Sequence, residues 1–372
     1  MQVDLKAQII PATVRCWRLF PGSSYRFLET FKNDNVAFLD MPGFQMPDVP
    51  LAAANDLGKR IRVAEITLDK IAKDGKEREH FVSQDDIEKF RVGRKRRRNQ
   101  QAMINLFDHA QKGDIVVMPE PLGYGRVQIG VFHDKAGTHV TAKSPKNYGI
   151  TGVPARHVTW IREVDENKLS TNLSSSLRHQ HPFSLIEQSI FLEIFSLTYD
   201  SYVFKDHFSS VIFNRKDDYT DRETALIGII ASLAANFAQA VDEHQEAEID
   251  ALTAILSQAS MEFHCSQAAD IHSPGFNRFT SSKHTALVIA AMIAALSLLS
   301  SCDSAQQVEA SVPQLEFVNS AAPHDDACTG LVSKTSGRIL RGMGSDNLFK
   351  LCQAMKDAER RAGLESSAKT HK

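Results

Sequence analysis

Arg91-Val92-Gly93-Arg94-Lys95-Arg96-Arg97-Arg98 carries six basic residues in eight positions. The whole chain of 372 residues has a formal net charge of −2, so this basicity is local. Phosphate neutralisation is the chemistry such a run suits, because each Lys or Arg that meets a phosphate releases a condensed counterion. A solvated loop or a targeting signal would read the same way. Arg126 adds a further cation. Four aromatic residues, Trp17, Tyr25, Tyr124 and Trp160, fall on or beside predicted strands, and they include both tryptophans of the chain. Flat rings can stack an unpaired base while a polar group such as Asp114 reads its edge. Core packing is the competing use of the tryptophans, and turn capping that of Asp114.

These residues need a scaffold. Residues 12–20 and 35–41 read as short strands, with alternation and strand-forming types. Ser83-Gln84 with the acidic residues after it opens a helix. Ala102, Ile104, Leu106 and Ala110 have near-helical spacing over 99–111, and Lys112-Gly113 ends it. Residues 114–119 form a buried-type strand, 123–134 a glycine-entered strand, and 155–164 a last one. Short strands separated by turns, with a few helices, predict an α+β fold: a small mixed β-barrel with flanking helices.

The order of these pieces carries a resemblance. Cys16-Trp17-Arg18-Leu19-Phe20, Tyr25, Asn99-Gln100, Lys112-Gly113-Asp114 with its apolar strand, Gly123-Tyr124-Gly125-Arg126 and Arg156-His157-Val158-Thr159-Trp160 together resemble the PUA/EVE-like superfamily. They are most similar to the reader domains fused to Mrr-type and McrB-type restriction proteins, over about residues 10–180. The resemblance implies a PUA-like pseudo-barrel that binds DNA or RNA. It also implies recognition of a modified base flipped into an aromatic pocket, and a role in bacterial defence.

Catalytic signals are weak by comparison. Mrr-type enzymes hold a metal with an Asp and a Glu/Gln-x-Lys on the next strand. Here Asp86, Glu88 and Lys89 crowd onto one predicted helix. His264, Cys265 and His272 lack the paired spacing of a zinc site. No phosphate-binding glycine loop, nucleophile elbow or His-Glu-x-x-His occurs. The reading is therefore a non-enzymatic binder, with no metal and no cofactor expected. A restriction component with an unrecognised catalytic site is an alternative.

The second half reads differently. Thr220 and Glu223 form a capping-box pattern that opens a helical run to about residue 263. Gly228, Ser232, Asn236 and Ala240 give it a small-residue stripe, so 221–260 is a candidate homo-oligomer surface. Residues 264–284 read as a polar linker. Thr285–Leu299 is free of charge, and extending to Cys302 gives a segment near the minimum for a bilayer span, although a buried core helix would read the same way. Leu299-Ser300-Ser301-Cys302 resembles a lipobox, with Cys302 as the lipidation candidate. Arg278, Lys283 and His284 precede the segment, and so place 1–283 in the bacterial cytoplasm and the tail outside. Residues 303–372 read as a weakly folded polar tail in which Cys328 and Cys352 could pair. The expected organisation is a reader at 1–180, a helical region at 181–263, the linker, a membrane segment at 285–302 and the tail. A membrane-anchored protein–protein module without nucleic acid, or a wholly cytoplasmic chain, are the alternatives.

Overall fold

The computed structural model describes residues 1–77, 80–89, 96–121, 125–178, 181–245, 251–270, 274–299, 304–322 and 326–371, with only the backbone at Arg96, Ala251 and Leu252. It is a mixed α/β structure with two units, Thr13–Thr198 and Met1–Ala12 joined by Tyr199–Lys372.

In the first unit, the Ile115–Pro119 strand is apolar without alternation, and its first four residues are buried. Such a run belongs in the middle of a sheet covered on both faces. It pairs parallel with Cys16–Leu19 and antiparallel with Arg126–Phe132. The full order is Val36–Phe38, Gly152–Asp165, Arg126–Phe132, Ile115–Pro119, Cys16–Leu19 and Phe183–Leu185, and Val140–Lys143 also pairs with 152–165. The sheet curls into a half-barrel. One cause is visible where the 126–132 and 152–165 strands slip register between Ile129 and Gly130. A Cβ at Gly130 would stand 2.5 Å from Val158 Cγ1, so only glycine lets the long strand close over the bulge.

Helices fill the concave side. Leu57–Asp74 buries Leu57, Ile61, Ala64 and Ile71 along one face, against a core of Phe27, Phe31, Phe38 and Phe107. The helix expected over 99–111 runs as Arg96–Ile104 and then widens into a π-turn at Asn105–His109. Fully buried Arg156 takes the carbonyl oxygens of Leu106 and Ala110 at 2.9 and 2.5 Å, and that of Asp134 as well.

The second unit overturns several boundaries. Residues 264–284 form two strands, Ser266–Asp270 and Gly275–Ser281, and not a linker. Gly275–Ser281 pairs with His207–Asn214 over its full length. The tail folds too: Ala327–Gly342 and Gly344–Ala362 are helices with buried faces, and Lys369–His371 pairs with Gln2–Asp4. The capping box is present, with Glu223 Oε2 accepting from Thr220 N at 2.8 Å. Its helix stops at Asp242 and does not run to 263. Asn236 of the small-residue stripe donates to Ala254 O at 2.8 Å, so close approach on that stripe is made by the chain's own Ala251–Leu256 helix.

The apolar segment is also put to a different use. Thr285–Leu298 is a helix in which every residue except Ser297 is buried. It packs against the 221–242, 327–342 and 344–362 helices and the 207–214 strand. Fourteen residues span only about 21 Å, short of a bilayer core of about 30 Å. A helix that is apolar all round needs to be covered on all sides, and here protein covers it. Buried Ser210 and Ser366 donate to the carbonyl oxygens of Ala286 and Ala290 at its start. The described part of the segment expected to span a membrane at 285–302 is thus covered by protein in this structure, and Cys302 lies outside the described residues. Among the described residues, one helix, Asp221–Asp242, is long and apolar enough to cross a membrane, and it too is largely buried. The Cys328–Cys352 pairing is corrected. Cys328 carries a free thiol, so it is not the disulfide partner of Cys352.

His284 caps the buried helix, with Nε2 2.9 Å from Thr335 Oγ1. Burial pulls its pKa from 6.5 down to about 4, with Asp242 opposing and Lys283 assisting. The folded form therefore binds this proton less readily than the unfolded chain does. The resulting stability is complete above about 6.5 and is lost as pH falls toward about 4, in total on the order of 3 kcal/mol. Urea melts across that window are expected to show this loss in the native chain and a smaller one in His284→Gln.

Candidate nucleic-acid interface

Asp114 sits at the turn between the π-turn and the 115–119 strand. Its carboxylate accepts from the backbone N–H of Arg15 at 2.9 Å and of Gln111 at 2.9 Å, and from Trp17 Nε1 at 2.8 Å. Trp17 is 2% exposed and stacks on Phe183, with centroids 5.0 Å apart. Both residues hold the sheet together, which corrects their assignment to a base pocket. Trp160 is half-buried, and its Nε1 donates to Phe31 O at 2.7 Å. Its ring contributes to packing beside Gly130.

Tyr25 is different. The Phe20–Tyr25 segment leaves the Cys16–Leu19 strand through Pro21-Gly22, and Gly22 has φ +76 with Phe27 2.4 Å from where a Cβ would lie. Ser24 and Tyr25 follow at φ +55 and +57, two successive non-glycine residues in the left-handed region. That conformation costs of order 1–3 kcal/mol per residue, and strain of this kind concentrates at binding sites. It brings the Tyr25 ring to 5.1 Å from Phe20, tilted by 51°.

The two rings line a cavity of about 200 Å³ with Leu169 and Leu177 as further apolar wall. Glu120, Glu166, Arg126 and Arg178 supply the charges. Glu120 is tied by Lys32 Nζ at 2.9 Å and Gln128 Nε2 at 2.7 Å. Gln128 and Lys32 also reach Glu163, which receives Arg126 at 2.7 Å. The hydrogen bond from Gln128, with the nearby Arg126 and Lys32, lowers the Glu163 pKa, and the Glu120 contact raises that of Lys32. The cavity's carboxylates offer acceptors and its arginines donors. This chemistry can read the edge of a ring clamped between apolar walls.

Of the basic run, Arg97 and Arg98 are exposed on the first turn of the 96–104 helix and form no ion pair among the described residues. Arg91, Arg94, Lys95 and Tyr124 lie outside the described residues, as does the side chain of Arg96. The sequence reading missed Phe20, Glu120, Glu166 and Arg178. Phe20 stood in the quoted aromatic motif, but the other three come from separate segments that only the fold brings together. Asp86 receives Lys70 at 2.8 Å and Ser83, whose contacts hold its pKa low, so it serves helix capping. Among the described residues, no group of three or more His, Cys, Asp or Glu side chains is placed to hold a metal. The other unit has a larger, mainly apolar cleft of about 420 Å³ between the 221–242 and 344–362 helices, with Arg222, Glu223, Asn347 and Lys350 also in its lining.

No family model, no curated protein and no solved structure matches the chain.

Structural and binding roles separate under mutation. Asp114→Ala strands three donors and is expected to lower unfolding free energy by at least about 3 kcal/mol in urea melts. Tyr25→Gly removes a half-buried ring but relieves a positive φ, so its stability is expected to stay within about 1 kcal/mol of that of the native chain.

Proposed function

We propose that the 13–198 unit is a non-enzymatic nucleic-acid reader that holds one unstacked base in the cleft that Phe20 and Tyr25 line. The observation that carries this reading is the strained 22–25 turn, which presents an aromatic ring over a cavity edged by Glu120, Glu166, Arg126 and Arg178. Arg97 and Arg98, free of ion pairs among the described residues, supply phosphate contacts from a second element. The PUA/EVE-like resemblance supports the same reading and extends it to modified bases and to defence against foreign DNA. Membrane attachment has less support, because the residues that suggested it are buried inside the other unit.

Fluorescence anisotropy with labelled single- and double-stranded oligonucleotides, with and without methylated bases, tests the proposal. Affinity is expected to fall about ten- to a hundredfold between roughly 50 and 200 mM salt, as for a few phosphate contacts. Tyr25→Gly is expected to weaken binding about five- to a hundredfold, in line with loss of one stacked base. Binding to no nucleic acid at low salt, or unchanged affinity in both Tyr25→Gly and Arg97→Gln/Arg98→Gln, overturns the reading and leaves a protein-binding module in its place.

A further inference from the structure

The Thr171–Arg178 helix has a cleft on each side. Ser174, Leu177 and Arg178 face the aromatic cavity, while Asn172, Ser175 and Ser176 line a second cleft of about 450 Å³. At that second cleft lies Arg18, 6% exposed, in the strand between Trp17 and Leu19. Its guanidinium donates to Ser176 O and to Ser184 Oγ, both neutral acceptors. Its Nε is buried without a partner. A guanidinium has five N–H donors, so most of its capacity is unspent. No carboxylate forms an ion pair with it among the described residues. Burial lowers its pKa.

A buried, uncompensated cation is costly, and proteins keep one chiefly where an anion comes to meet it. The surroundings reinforce the point. His181 has an unpartnered buried Nδ1, and both Arg18 and Arg98 act electrostatically on its ring. The cleft has Arg18 in its wall and opens between the exposed side chains of Asn172, Ser175 and Ser189. Glu187 is the one carboxylate on the cleft wall, and it is exposed.

We propose that this cleft is a phosphate-binding subsite, with Arg18 as its cationic floor and Asn172, Ser175 and Ser189 as rim donors. A tetrahedral oxyanion accepts from several directions at once, which suits a guanidinium below and hydroxyl and amide groups around it. The subsite stands on the surroundings of Arg18 and does not require a base in the aromatic cleft.

Equilibrium dialysis of the full chain against radiolabelled inorganic phosphate tests it, in chloride buffer of constant ionic strength. One saturable phosphate per chain is expected. Arg18→Gln should weaken it at least about tenfold, as loss of a charge-assisted hydrogen bond does. Glu187→Gln should tighten it. Because Arg18 is buried, an Asn172→Ala/Ser175→Ala/Ser189→Ala variant, altered only at exposed positions, serves as a second probe and should weaken binding several-fold. Absence of saturable binding, or native affinity in the triple variant or in folded Arg18→Gln, overturns the subsite. Displacement of the bound phosphate by a single-stranded oligonucleotide identifies the strand backbone as its source. Failure to displace it rejects that source and identifies a free phosphate.

Discussion

The first unit depends on one buried carboxylate. Asp114 receives three donors from three places: the strand entry at Arg15, the helix exit at Gln111 and the indole of Trp17. Together these contacts fix the parallel pairing of Cys16–Leu19 with Ile115–Pro119, a connection that has no hairpin to hold it. With Trp17 stacked on Phe183, the edge strand Phe183–Leu185 is held in the same register. Both clefts open on elements that leave this junction: Phe20 follows one strand, Arg18 lies within it, and the 171–178 helix leads into the edge strand.

Arg156 does comparable work at the other end of the core. Its guanidinium lies over the Phe132 ring and takes carbonyl oxygens that the π-turn leaves unpaired. Arg156 and Arg18 are both buried cations, yet they differ in a way that bears on function. Arg156 has three carbonyl acceptors and feels Asp134 and Asp114, whereas Arg18 has two neutral acceptors and, among the described residues, no ion pair. Both leave a buried Nε without a partner, so the difference between them lies in the nearby carboxylates that offset the charge of Arg156.

Much of this was legible in the sequence, and the rest was hidden for physical reasons. The apolar run Ile115–Met118, the 126–132 strand and the Thr220–Glu223 box declare themselves locally, through residue type and spacing. Asp114 was visible as a polar residue beside a buried strand, but whether it reads a ligand or ties a turn depends on groups far away in the chain. Thr285–Leu298 misleads because a helix apolar all round satisfies the composition of a membrane span and of a core helix equally. Its length is the discriminating quantity, and Ser300–Asp303 blurred it. The Gly275–Ser281 strand escaped notice because its buried positions include Asn277 and Ser281, whose polarity reads as linker. Glu120, Glu166 and Arg178 could not be grouped from sequence, since three separate segments meet only when the sheet curls.

The central claim is that an unstacked base lies against Phe20 and Tyr25. Photo-cross-linking of the full chain to a single-stranded oligonucleotide carrying 5-iodouridine, followed by peptide mass spectrometry, tests it most directly. The account predicts cross-links on Phe20 or Tyr25, lost in Tyr25→Gly together with Phe20→Ala. Cross-links confined to residues 199–372, or none at saturating oligonucleotide, would contradict it.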